Sequence, residues 1–230
     1  MLIAPIALFS QIAAGSAKPA STPAPEPIVL TENSSNNIDY TIISFDPART
    51  DFGITFPQDT VCEEGVLVFN GGFYDENRNP EGLLISQGQE LAPLSTKEVM
   101  SGILSIKDGQ VSIVRTSDYL PRPDEDFVLQ CGPLIIEPGG RRGIRGNAMA
   151  AERTILAIDK AGRAYIIVIK TPISLFDAQE LLLKRVPNID AALNLDGGPS
   201  SFYYYNQDDQ DFSFGSANYP AYFINVTPSR

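Results

Sequence analysis

The sequence predicts a single α+β domain built on a mixed, largely antiparallel sheet with few helices. Three observations carry this expectation. Short apolar runs rich in β-branched and aromatic residues recur between Ile38 and Val226. Turn signals separate many of them, the strongest being Asp108-Gly109 between LSI and VSIV. Only one stretch carries helical spacing. With 230 residues, 43% of them hydrophobic, one sizeable core and one domain plus a tail are expected.

Residues 1–17, MLIAPIALFSQIAAGSA, are apolar through Ala14 and end in small residues. This resembles the h-region and cleavage site of a secretory signal, although the first positive charge comes only at Lys18. The stretch is too short for a transmembrane helix. No membrane span is therefore expected after signal removal, and the mature chain is expected to be secreted or periplasmic. Residues 18–37 are rich in Pro, Ser, Ala and Asn and read as a linker. The domain is expected to span 38–230.

Strands are predicted at 38–45 (IDYTIISF), 66–69 (VLVF), 83–86 (LLIS), 102–106 (GILSI), 127–136 (FVLQCGPLII), 154–158 (TILAI) and 164–169 (AYIIVI). The helix follows. Ser174 is a good N-cap, and Asp177 completes a loose capping box. Leu175, Ala178, Leu182 and Val186 repeat at helical spacing. Lys184 and Arg185 complement the dipole in the last turn, and Pro187 ends it. A buried strand, 191–195, then runs into Asp196-Gly197-Gly198. Tyr203, Tyr204 and Tyr205 read as a strand with alternating faces. A polar turn, NQDDQD, leads to a closing strand near 222–226.

Composition narrows the chemistry. The chain has no His, which excludes Ser-His-Asp and Cys-His catalysis. Its two cysteines are too few for an all-thiolate zinc site. No cofactor or metal site is expected. A net charge of -11 argues against nucleic acid as a partner and against anionic membrane surfaces. In an exported protein Cys62 and Cys131 could pair; two separate buried thiols are the simpler alternative.

Two segments share one grammar. VLVFNGGFY (66–74) is an apolar strand that ends in Asn70 and then Gly71-Gly72. AALNLDGGPSS (191–201) carries Asn194 and Asp196 before Gly197-Gly198. Each sets a polar side chain at a strand end, where glycines let the backbone approach a ligand. Ser200 and Ser201 add hydroxyls suited to sugar or phosphate oxygens. Arg141, Arg142 and Arg145 read as a solvated loop, whereas Arg153 opens an apolar strand beside Glu152. Such a guanidinium either binds phosphate or forms a structural ion pair. Gln130, inside an apolar run, must find partners in a ligand or in the fold. Asp75 is a candidate acid, or simply a loop carboxylate.

At these residues the sequence resembles the phosphodiester glycosidase family. Four segments match in order: NGGFY with PEGLLISQG behind it (70–88), QCGPLII (130–136), ERTILAID (152–159) and ALNLDGGPSS (192–201). Pro199 stands where relatives commonly carry a small residue. The resemblance implies hydrolysis of a sugar-1-phosphate diester at its glycosidic C–O bond, on cell-envelope or exopolysaccharide-type glycans. On this reading Asp196 is nucleophile or electrostatic stabiliser, and Arg153 binds the phosphate. Asn70, Asn194, Ser200 and Ser201 hold sugar or phosphate oxygens, with backbone donors at Gly71, Gly72, Gly197 and Gly198. Glu152 and Asp75 are both open as the second carboxylate, and Gln130 as a substrate contact. The competing function is a non-catalytic glycan-binding or envelope-assembly module on the same fold.

Overall fold

The computed structural model describes residues 26–59, 63–122, 124–146 and 149–229. The signal-like segment, the first part of the linker and Cys62 lie outside them. The strands run in order: β1 Ile28–Ser35, β2 Ile38–Phe45, β3 Thr50–Thr55, β4 Leu67–Asn70, β5 Leu84–Ser86, β6 Gln89–Ala92, β7 Gly102–Lys107, β8 Gln110–Arg115 and β9 Phe127–Cys131. Then come β10 Leu134–Glu137, β11 Arg141–Arg142, β12 Ala151–Asp159, β13 Ala164–Ile173, helix α1 Leu175–Arg185, β14 Ile189–Asn194, β15 Tyr203–Gln207, β16 Gln210–Phe214 and β17 Phe223–Pro228.

They form three sheets, ordered β1-β2-β13-β12-β14-β10-β11, β16-β15-β4-β17-β3 and β6-β5-β9-β7-β8. Every pairing between these strands is antiparallel. The expected mixed sheet is thus corrected to three antiparallel ones, and the chain is richer in strand than a balanced α+β domain. Tight hairpins explain much of this. The turns at Asn36-Asn37, Gln87-Gly88, Asp108-Gly109 and Asp208-Asp209 each have two successive residues with positive φ. That is the two-residue geometry that matches strand twist.

The first of these turns also corrects the linker boundary. Ser35 pairs with Ile38, and β1 continues along β2 as far as Ile28 against Phe45. An edge strand needs only one apolar face, so polar TENSS passes for linker in the sequence.

The inner strands of the seven-stranded sheet, β12–β14, are buried on both faces. Leu156, Val168 and Leu193 face a core shared with Phe69, Leu104, Leu129, Tyr203 and Tyr222 from around the other sheets. Ile155, Ile167, Ile169 and Ala192 face the helix, packing on Ala178, Leu182 and Val186. Two-sided burial explains the continuous apolar runs of β12–β14. The helix forms as its cap predicts: Ser174 Oγ accepts from Asp177 N at 3.1 Å. Tyr203 and Tyr205 are buried and Tyr204 half-buried, the alternation expected of a strand.

The run 127–136 is two strands in different sheets, not one. Proline has no N–H to continue a ladder, and a Cβ on Gly132 would lie 2.0 Å from Val99 O. The chain turns there between β9 and β10, through a cis Gly132–Pro133 bond.

Candidate active site

The two strand-end loops meet, and Asn70 joins them. Its Nδ2 donates to Asp196 O at 2.9 Å and to Gly71 O at 3.0 Å. Its Oδ1 accepts from Thr154 Oγ1 at 2.7 Å and from Phe202 N at 3.0 Å. Asn70 is fully buried, with partners on both ends of its amide. It therefore positions the Asp196 loop and does not bind ligand directly.

The Gly-Gly step packs on Tyr222. Gly71 N donates to Tyr222 O at 3.0 Å and Gly72 N to the Tyr222 hydroxyl at 2.8 Å. A Cβ on Gly71 would sit 2.1 Å from the tyrosine ring. These glycines serve close packing, and both amides are already engaged, so their expected role as ligand donors is corrected. Cys131 lies beneath Gly72 as a buried free thiol. Burial pushes it up to about 12, although the N–H groups of Phe73 and Gly132 point at its sulfur. A thiol held neutral in this way is not a nucleophile.

Beyond Gly72 the chain makes a closed loop. Tyr74 bridges Pro80, and Glu81 N donates to Phe73 O at 2.8 Å. Asp75 organises the turn: Oδ1 accepts from Asn77 N at 2.9 Å and Asn79 N at 2.8 Å, and Oδ2 from Asn79 Nδ2 at 3.0 Å. Asp75 is thus a turn acceptor, not a site acid. Arg78 donates to Pro220 O at 2.6 Å and lies over the Tyr74 ring, tying this loop to the 219–220 segment.

The other loop carries the carboxylate. After β14, Gly198 takes φ of 59°, and Gly198–Ser200 forms a short 3-10 turn. Pro199 falls at the start of that turn, where proline is well tolerated. Gly197 is closely packed, since a Cβ there would meet Glu152 O at 2.8 Å. Its N–H donates to Asp196 Oδ1 at 3.1 Å. Burial raises the Asp196 carboxyl above its ordinary value, opposed by hydrogen bonds from the Ser200 hydroxyl and the Gly197 N–H.

A cavity of about 460 Å³ opens over these loops. Asp196, Gly197, Pro199 and Ser200 form one side, and Phe73, Tyr74, Glu81 and Tyr219 the other. Tyr219 is 52% exposed, an aromatic face open to a ligand. Of the residues expected at the site, only Asp196, Gly197 and Ser200 line this cavity. Asn194 and Ser201 are buried behind it, each with one side-chain oxygen lacking a hydrogen-bond partner.

The Arg153 side chain runs beside Gly197, with its Cδ 3.8 Å from where a Cβ on that glycine would stand. Its guanidinium donates to Met149 O at 2.6 Å and Ile173 O at 3.2 Å. Burial lowers its pKa and the Glu152 charge opposes the shift. Neither Arg153 nor Glu152 is among the residues that line the cavity, although both pack against Gly197 in its wall. Arg142 pairs with Glu180 at 2.8 Å on the exposed surface, as a solvated segment would.

Gln130 is also corrected. Its Oε1 accepts from Leu83 N at 3.0 Å and Ser95 N at 2.8 Å, while Nε2 donates to Ser95 O at 2.9 Å and Met100 O at 3.0 Å. It is a buried clamp between β9 and the 95–100 loop. Gln130→Leu is expected to cost about 2–4 kcal/mol through stranded backbone groups. Thermal unfolding reads this as a lower Tm, with KM unchanged at temperatures where the variant is folded.

Reading the sequence alone passes over Glu81 and Tyr219. Glu81 had a signal: an acid between a turn and Gly82, whose φ is 93°. Tyr219 had almost none, being one aromatic residue in a polar loop.

Two carboxylates and three aromatic rings, Tyr219 exposed and Phe73 and Tyr74 half-buried, around one cavity suit a sugar ring, whose C–H faces stack on aromatics and whose charged transition state needs an anion. The profile of the phosphodiester glycosidase family matches residues 63–226. The chain belongs to that family. Among solved structures, it superposes on the catalytic domain of zebrafish N-acetylglucosamine-1-phosphodiester α-N-acetylglucosaminidase, in a form auto-inhibited by its pro-peptide. The TM-score is 0.64 and the identity 17%, over 88% of this chain and 82% of that one. A hypothetical protein from Synechocystis gives a TM-score of 0.63 and 14% identity, over 89% and 62% of the two chains. These likenesses establish the fold. In sequence, the uncharacterized protein YigE of Escherichia coli K12 is 27% identical over 146 residues, 60% of this chain. The match spans 57% of the length of YigE.

Proposed function

We propose that this phosphodiester glycosidase family member hydrolyses a sugar-1-phosphate diester at the glycosidic C–O bond. One observation carries the reading: Asp196 and Glu81 line the same aromatic-rimmed cavity. The sugar stacks on Tyr219 and Tyr74. The Asp196 carboxylate faces the anomeric carbon, either stabilising its positive charge or attacking it. The C1–O bond breaks and its electron pair leaves with the phosphate. Water then adds to C1, giving free sugar, and its proton passes to the phosphomonoester or to solvent. A phosphate leaving group already carries charge well, so no strong general acid is needed and the lack of His is no obstacle. Glu81 takes the place of Glu152 and Asp75 as the second carboxylate.

The signal-like N-terminus supports an exported site of action, secreted or periplasmic, on envelope or exopolysaccharide-type glycans. A panel of sugar-1-phosphate diesters tests the reading. The expected result is turnover in which oxygen-18 from labelled water enters the sugar. Label in the phosphate means P–O cleavage, and binding without turnover means a glycan-binding module.

A further inference from the structure

A second cavity, of about 430 Å³, is linked to the first through one pair of side chains. Lys97, on the loop between β6 and β7, lines it together with Arg115, Ser95, Ser101 and Glu137. The link to the Asp196 cavity is an ion pair: Lys97 Nζ contacts Glu81 Oε1, which lines that cavity. Lys97 and Arg115 are the cations that line the two cavities. Arg115 is held on the far side by Glu137 at 2.6 Å, which leaves Lys97 as the cation at the boundary.

That pair is easily parted. The Lys97 side chain is 61% exposed and that of Glu81 27%. Exposed ion pairs contribute only about 0.2–1 kcal/mol. A phosphodiester anion entering between the cavities offers Lys97 two charged oxygens in exchange for those of the carboxylate, and charge-assisted hydrogen bonds to phosphate are strong. Resting on the hydrolase reading above, we propose that Lys97 is the phosphate-binding residue, that the Lys97–Glu81 pair opens to admit the phosphate, and that the second cavity takes the alcohol beyond it. Displacement of Lys97 also frees the Glu81 carboxylate to face the sugar.

Binding tests this without relying on turnover. The probes are the methyl diesters of α-glucose-1-phosphate and α-N-acetylglucosamine-1-phosphate, with the matching methyl glycosides that lack phosphate. Calorimetry is run on the full chain carrying Asp196→Asn. The expected result is that at least one diester binds more tightly than its glycoside. Adding Lys97→Ala weakens that diester about 10- to 100-fold, the scale of one charge-assisted hydrogen bond, and leaves the glycoside unchanged. Adding Glu81→Gln instead tightens the diester, because the competing carboxylate is gone. Unchanged diester affinity in Lys97→Ala overturns the proposal, as does equal weakening of diester and glycoside. Failure of both diesters to bind also overturns it. A wild-type chain that binds diesters through Lys97 but never cleaves them defeats the hydrolase reading and leaves the phosphate site standing.

Discussion

Asp196→Asn is expected to reduce turnover of a sugar-1-phosphate diester by roughly 1,000-fold or more while the fold stays intact. Asparagine keeps an oxygen for the Gly197 N–H, so the 3-10 turn at Gly198–Ser200 has no reason to move. What is lost is the negative charge that the proposed mechanism sets opposite the anomeric carbon. Burial raises the Asp196 carboxyl above the ordinary aspartate value of 3.8, and this fixes two signs. For catalysis, the ionised form is required, so the acid limb of kcat/KM should lie above 3.8, and activity should fall as pH drops through it. For stability, the folded state holds this proton more tightly than the unfolded chain. The group's unfavourable contribution therefore grows as pH rises through the unfolded and then the folded pKa, and is complete above both. Asp196→Asn removes that contribution, so Tm at neutral pH should be unchanged or higher. Near-full activity in the variant, with ordinary pH dependence, would remove Asp196 from the mechanism.

Much of the scaffold was legible because it depends on local chemistry. The cap at Ser174, the apolar repeat of α1 and the Asp108-Gly109 hairpin are decided within a few residues, and each forms where the sequence places it. The Asn36-Asn37 hairpin obeys the same turn rule, but its polar edge strand hid it. The site was legible only by half. Apolar strands ending in Asn70 and in Asp196 marked the two loops that meet, because strand ends are where a sheet can hold a side chain rigidly. Which polar groups face the ligand was not legible, because each is decided by partners far along the chain. Gln130 spends its amide on Leu83, Ser95 and Met100, and Asn70 reaches Thr154, Phe202 and Asp196. Glu81 looked like any loop acid until the Tyr74–Pro80 closure brought it to the cavity that Asp196 also lines. A polar residue in an apolar run announces that it has partners. It does not announce whether they are backbone or substrate.

Asn70→Ala is expected to have the largest combined effect on stability and activity. The deletion strands two buried donors, Thr154 Oγ1 and Phe202 N, and two acceptors, Gly71 O and Asp196 O. Each stranded buried group costs about 1–3 kcal/mol, but neighbouring losses are not additive. A total of about 3–5 kcal/mol is expected, read as a Tm lower by about 10 °C for a domain of this size. Stability alone would not distinguish a structural residue from a positioning one. The distinction comes from kcat measured well below the variant's Tm. Loss of the 2.9 Å bond to Asp196 O frees the carboxylate loop, so kcat should fall by about 10- to 100-fold with KM little changed, as small misplacements of a reacting group do. Thr154→Val is the comparison that separates the two effects. It removes one partner of Asn70 Oδ1 but leaves Phe202 N on that oxygen and both Nδ2 bonds in place. Its stability cost should be about 1 kcal/mol, with kcat close to wild type. If Thr154→Val lowers kcat as far as Asn70→Ala does, the Asp196 loop is held by the β12 strand as a whole, and Asn70 is only one of its supports.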